Sequence, residues 1–199
     1  AFRIGDPGGD EDGAGKIVTA GRAYLDHNAT TPVRPEVAHA VAHALTLPGN
    51  PSSVHGEGRA ARAAMERARE QVARLVGAKA SNVVFTSGGT EANVAVLSPG
   101  LMDCDGGRDC VRTPATLLLH SATEHACVRE GHRFPAGAAE AIPVDENGLV
   151  DLVWLDERLA RFVADKPGAR ALVSIHLANN ETGVIQPIAA AAEIVHRHG

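Results

Sequence analysis

The 199-residue chain is 44% hydrophobic and 22% charged, a balance that suits a globular protein with a real apolar core. Its net charge of −5, with basic residues scattered apart from an Arg-rich stretch at Arg59–Arg74, excludes a nucleic-acid or anionic-membrane partner as the organising feature. Three irregularly spaced cysteines, Cys104, Cys110 and Cys127, do not make a disulfide framework, and with no signal peptide or bilayer-length apolar run the expected location is the cytoplasm.

In chain order, residues 1–21 interleave glycines with Asp6, Asp10, Glu11 and Asp12, lack apolar periodicity and are expected to be a disordered leader. Residues 22–199 are expected to be structured. Val37, Val41, Ala44 and Leu45 predict a helix over Pro35–Leu47, followed by a Gly/Pro-rich loop at Pro48–Gly58. Ala61, Ala64, Met65, Ala68, Val72, Leu75 and Val76 mark one face of a long helix stopped by Gly77. The Arg-rich stretch reads as its solvated side. The β-branched run Asn82–Thr86 predicts a strand, and Ser87-Gly88-Gly89 punctuates it before a short helix.

A glycine-containing loop from Pro99 to Pro114 leads to a second strand, Ala115–His120. A third strand near Ala141–Val144 runs into the Asn147-Gly148 turn, and Asp151 caps a helix carrying Leu152, Leu155, Leu159 and Phe162. A fourth strand, Ala171–His176, leads through a polar loop to a last helix from Ile188. Short buried-type strands alternating with helices predict a mostly parallel α/β sheet with helices on both faces. A further strand would normally follow, so the sheet reads as unfinished, with an open edge and a prediction of poor solubility.

Ligands of parallel α/β sheets bind beyond the carboxyl ends of the strands. Polar clusters follow predicted strands at Ser87–Glu91, at Thr123-Glu124-His125 and at His176–Gly183, and Asp26–Pro32 precedes the first helix. Gly88, Gly89 and Thr90 suit a phosphate monoester at a helix amino end, or a turn that needs glycine only for geometry. His125 reads as a ring-stacking or structural histidine. Two other readings are a Cys127 nucleophile with His125 as base, and a zinc site using His120, Glu124 and His125; the spacings match no closed zinc pattern, so no metal is expected. Asn179-Asn180 reads as an Asx-rich turn or as an amide that bonds a planar ligand.

The segments YLDHNATTP at 24–32, GNPSSVHGEGR at 49–59, FTSGGTEAN at 85–93, TEH at 123–125 and HLANNETGVIQP at 176–187 together resemble the cysteine desulfurase family of class V aminotransferase-like enzymes. The resemblance implies the amino-terminal part of the large domain of the fold-type-I pyridoxal-phosphate architecture, incomplete at its carboxyl end. It implies pyridoxal 5′-phosphate as cofactor, with Gly89 and Thr90 on the phosphate, His125 stacked on the ring and assisting proton transfer, and Asn180 bonded to the ring oxygen or substrate carboxylate. It also implies L-cysteine as substrate, a sulfur-acceptor or iron–sulfur scaffold partner, and a homodimer. The family uses a Schiff-base lysine in a Ser-x-His-Lys context and a late loop cysteine. Lys16, Lys79 and Lys166 lack that context, and Cys104, Cys110 and Cys127 do not match the cysteine's position, so no turnover is expected from these residues alone. Selenocysteine lyase or transaminase chemistry on the same fold, and a non-catalytic truncated product, are the competing readings. Ser98-Pro99-Gly100 departs from the family by breaking the helix there.

Overall fold

The computed structural model describes residues 23–100 and 114–199, which divide after Val84 into two compact units. The expected leader at 1–21 and most of the expected loop before Pro114 lie outside the described residues.

In the first unit, Pro35 opens helix α1 (Pro35–Leu45), a position where its missing N–H leaves no bond unmade. The helix stops two residues before the expected Leu47, where the Thr46 hydroxyl donates to the His43 carbonyl at 2.7 Å. Helix α2 (Gly56–Leu75) is capped by the His55 ring, which accepts from the Gly58 amide at 3.3 Å. The loop leading into it requires its glycines. Gly49 sits at φ +122°, where a side chain is strained, and a Cβ on Gly58 would drive into the Ser53 carbonyl. Arg59, Arg62, Arg67 and Arg74 are exposed as expected, whereas half-buried Arg69 pairs with Glu66 at 3.1 Å and donates to the Val83 carbonyl.

The predicted strand over Asn82–Thr86 is not formed. Ala80–Asn82 makes a single 3-10 turn, and Val83, though extended at φ −96° and ψ 123°, pairs with no strand among the described residues. Branched side chains favour the extended backbone, but a ladder also needs a neighbour for its N–H and C=O groups; here Arg69 takes the Val83 carbonyl instead.

The second unit, Phe85–Gly199, holds an all-parallel sheet in the order β2–β1–β3, from β1 (Ala115–Ser121), β2 (Ala139–Ile142) and β3 (Arg170–Ser174). Central β1 is buried from Leu117 to Ser121, which is why its sequence is a continuous apolar run with little alternation. Leu117 and Leu119 pack with Ile142, with Leu155, Leu159 and Phe162 of α5 (Leu152–Asp165) and with Ala191 of α6 (Ile188–Arg197). Leu118 faces the other way, onto Leu97, Val128 and Phe134, beside α3 (Gly89–Val96) and α4 (Ala126–Arg129). Helices therefore cover both faces, as the α/β reading requires. Leu118 and Leu119 are fully buried, each contributing about 2 kcal/mol of transfer free energy.

Local chemistry sets the connections. Asp145 Oδ1 accepts from the amides of Asn147 (2.9 Å) and Leu149 (2.8 Å), closing the predicted turn over Gly148 at φ +80°. Asp151 caps α5 by accepting from the Trp154 amide at 2.9 Å. Arg158 of α5 forks onto Glu140 of β2 at 2.7 and 2.6 Å. Because β1 and β3 are adjacent and parallel, the segments that follow them leave the same edge of the sheet side by side.

Candidate functional site

Three polar segments of the second unit meet the description of a ligand site. The first is the amino end of α3. Its first helical bond runs from the Ala92 amide to the Gly88 carbonyl at 3.1 Å, so the amides of Gly89, Thr90 and Glu91 have no acceptor within the helix. Gly88 has φ 171°, an extended conformation open to any residue, and neither Gly88 nor Gly89 is in the left-handed region that favours glycine. A Cβ on either would meet no described atom within 4 Å. Backbone strain and internal crowding therefore do not account for glycine here, and the open backbone remains available for close approach by a ligand. Glu91 turns back to accept from the Ser87 amide (2.7 Å) and hydroxyl (2.6 Å), and these bonds, the hydroxyl first, hold its carboxyl below the usual range.

The other two segments follow β1 and β3 and are bonded to each other. Buried Glu124 accepts from the His176 amide at 2.6 Å through Oε1 and lies 3.3 Å from His176 Nδ1 through Oε2. Asn179 Oδ1 accepts from the amides of Glu181 and Thr182, both at 2.8 Å, while its Nδ2 donates to the Thr123 carbonyl at 3.0 Å. An antiparallel bridge between Ala178 and Ile185, with Gly183 at φ +76°, folds the second loop back. Between the two loops lies a pocket of about 370 Å³ whose lining includes Thr123, His125, Arg129, Asn179, Asn180 and Thr182.

The structure thus brings His125 and Asn180 to one pocket. Gly89 and Thr90 do not line it; α3 reaches it indirectly, through Asn93, whose Nδ2 donates to Cys127 Sγ at 3.1 Å. Cys127 Sγ in turn lies 3.0 Å from His125 Nδ1. The suggested zinc trio is separately engaged: His120 Nδ1 donates to the Ser121 carbonyl at 3.0 Å, Glu124 holds His176, and His125 faces Cys127. Among the described residues no group of three His, Cys, Asp or Glu side chains could hold a metal ion.

Residues 23–199 match the aminotransferase class-V family. The chain belongs to that family. A cysteine desulfurase of Cereibacter sphaeroides is 40% identical over 184 residues, covering 89% of this chain and 44% of that protein. The human cysteine desulfurase is 37% identical over 176 residues, covering 86% and 35%. Among solved structures, a NifS-like protein from Rickettsia africae superposes with TM-score 0.69 at 35% identity, and SspA in complex with cysteine with 0.67 at 30%. These cover 88% of this chain and 45% and 48% of theirs, so this class-V chain spans under half the length of such relatives and corresponds to their amino-terminal part.

Within this class-V unit, Lys166 closes α5 and lines a small cavity with Thr116 and Gly137, at the amino ends of the strands and opposite the loops described above. Lys79 belongs to the first unit, and Lys16, Cys104 and Cys110 lie outside the described residues. Four residues stood inside the quoted segments without the supporting roles that the structure gives them. Asn93 was visible only as the last letter of FTSGGTEAN, one helical turn beyond Gly89. Glu124 stood only as part of the TEH motif and of a zinc site, and His176 as the first letter of HLANNETGVIQP, with nothing local to join the two. Gln186, buried between the Val150 amide (3.0 Å) and the Gly148 carbonyl (2.7 Å), ties the second loop to the turn before α5.

Proposed function

We propose that residues 22–199 are the amino-terminal, cofactor-holding part of a cysteine desulfurase that converts L-cysteine to L-alanine and passes sulfur to an enzyme persulfide. The shared pocket of His125 and Asn180, at the carboxyl ends of adjacent parallel strands, carries this reading. The cysteine desulfurase relatives and the cysteine complex of a structural neighbour support the substrate class.

The residues present fit pyridoxal 5′-phosphate: a helix amino end with open glycines for the phosphate, a flat ring, and an amide. When bound, the cofactor supplies an electron sink for chemistry at the substrate α-carbon. The amides of Gly89 and Thr90, with the Thr90 hydroxyl, would hold the phosphate. His125 would offer its ring to the pyridine and carry a proton on a ring nitrogen. Asn180 would donate to the ring oxygen or the substrate carboxylate. Asn179, bonded to Thr123 and to its own loop, keeps Asn180 at the pocket.

The Schiff-base lysine and sulfur-accepting cysteine belong, in this proposal, to the part of the relatives that the chain does not span. A homodimer, a sulfur-acceptor or iron–sulfur scaffold partner and a cytoplasmic location complete it. Val37, Val41 and Leu45, at helical spacing on α1, support the dimer by forming an exposed apolar stripe among the described residues. No helix among the described residues is long and apolar enough to cross a membrane.

The test is a chimaera that joins this chain to the remaining portion of the Cereibacter sphaeroides relative. It should bind the cofactor, convert L-cysteine to L-alanine and, with a thiol added to reduce the persulfide, release sulfide, and His125→Ala should lower turnover by about 100-fold. A cofactor-loaded chimaera that transaminates, or that accepts selenocysteine and not cysteine, would overturn the reading. In the chain alone, a cofactor absorption band abolished by changing Lys16, Lys79 or Lys166 would contradict the assignment of the lysine elsewhere.

A further inference from the structure

We propose that Asn93 and Cys127 are positioning residues that hold the His125 ring in the tautomer with its proton on Nε2. The inference deepens the proposed function, since it concerns the ring assigned there to the cofactor. It starts from Nδ1 of His125, which receives the Cys127 amide at 3.1 Å. In a neutral imidazole one nitrogen carries the proton and the other accepts, so a nitrogen that receives an amide N–H is the accepting one. Cys127 Sγ lies 3.0 Å from the same Nδ1, which directs the thiol hydrogen onto it as a second donor. On its other side the sulfur receives the Asn93 amide at 3.1 Å. Every hydrogen in this chain points the same way, from Asn93 to Cys127 to His125.

Neither Asn93 nor Cys127 lines the pocket, whereas His125 does, so the pair acts through the ring. The same arrangement argues against Cys127 as a pocket nucleophile, because its sulfur is held between an amide and an imidazole of its own unit. Asn93 stands four residues after Gly89 on α3, on the same helix face. The helix whose amino end is the proposed phosphate cradle therefore also sets which nitrogen of His125 bears the proton.

The tautomer is read directly from imidazole nitrogen shifts in long-range proton–nitrogen spectra of the labelled chain, without cofactor; the His125 signals are those lost in His125→Gln. Nδ1 should show the lone-pair shift and Nε2 the protonated one. Cys127→Ser, which keeps a donor, should preserve the pattern. Cys127→Ala and Asn93→Ala, which keep the residue-127 amide on Nδ1 but remove or misdirect the thiol donor, should move the Nδ1 shift part of the way toward the protonated value while the amide spectrum stays folded. A protonated Nδ1 in the unsubstituted chain, or a Nδ1 shift unmoved in both alanine variants, overturns the proposal. Adding pyridoxal 5′-phosphate separates the two readings. If the His125 signals show the stated tautomer but do not respond to the cofactor, the cofactor assignment fails and the positioning pair stands.

Discussion

The amino end of α3 and the paired loops after β1 and β3 serve the same proposed ligand but are held in opposite ways. At that end of α3 the bonds are local: Glu91 reaches back four residues to Ser87, the Thr86 hydroxyl donates to the Gly88 carbonyl, and a Cβ on either glycine would meet no described atom within 4 Å. The loops are held by bonds spanning 52 residues, Glu124 to His176, and 56 residues, Asn179 to Thr123. A motif that is locally complete can be changed without disturbing the fold. A motif built from distant partners cannot. Stability and ligand affinity should therefore separate at α3 and fall together at the loops.

The largest expected effect is at Glu124. Replacing it with alanine leaves the His176 amide without its acceptor inside a buried site and should cost about 3 kcal/mol in urea unfolding. Glu124→Gln keeps one acceptor oxygen and should cost less; equal losses would mean that packing, not the bond, is at stake. Asn179→Ala removes three hydrogen bonds and should cost about 2 kcal/mol, whereas Asn180→Ala, one residue later and exposed, should change stability by less than about 1 kcal/mol. Similar values for the two asparagines would erase the division of labour between them.

At α3 the signs differ. Gly89→Ala occupies open space within a helix and should leave stability unchanged or raise it by up to about 1 kcal/mol, while weakening phosphate binding. Destabilisation there would show that the glycine serves the fold. The smallest effect is on pH dependence. The Ser87 hydroxyl and amide hold the Glu91 carboxyl below its ordinary range, so its contribution is present above that range and is lost as pH falls through the lowered value. Thermal unfolding of Glu91→Gln should decline less steeply on the acid side than that of the unsubstituted chain.

These contrasts also explain what the sequence made legible. Helix faces, the Asp151 cap, the Asn147-Gly148 turn and the parallel sheet follow from periodicity and short-range chemistry, and the structure has them. The run at 82–86 misled because branched residues report extended backbone and say nothing of whether a neighbour is there to pair. Of the proposed site, Gly89, Thr90, His125 and Asn180 are recognisable from motifs. Their supports are not: Asn93 to Cys127, Glu124 to His176 and Asn179 to Thr123 join segments that are far apart in the sequence and meet only in the folded unit.

The central claim, a phosphate-anchored pyridine at the strand ends, is tested most directly by calorimetric binding of 4′-deoxypyridoxine 5′-phosphate, which keeps ring and phosphate but lacks the aldehyde that reacts with any lysine. It should bind at least about tenfold more tightly than deoxypyridoxine itself, and Gly89→Val should abolish the difference without unfolding the chain. Equal binding of the two compounds, or a phosphate preference that survives in Gly89→Val, would contradict it.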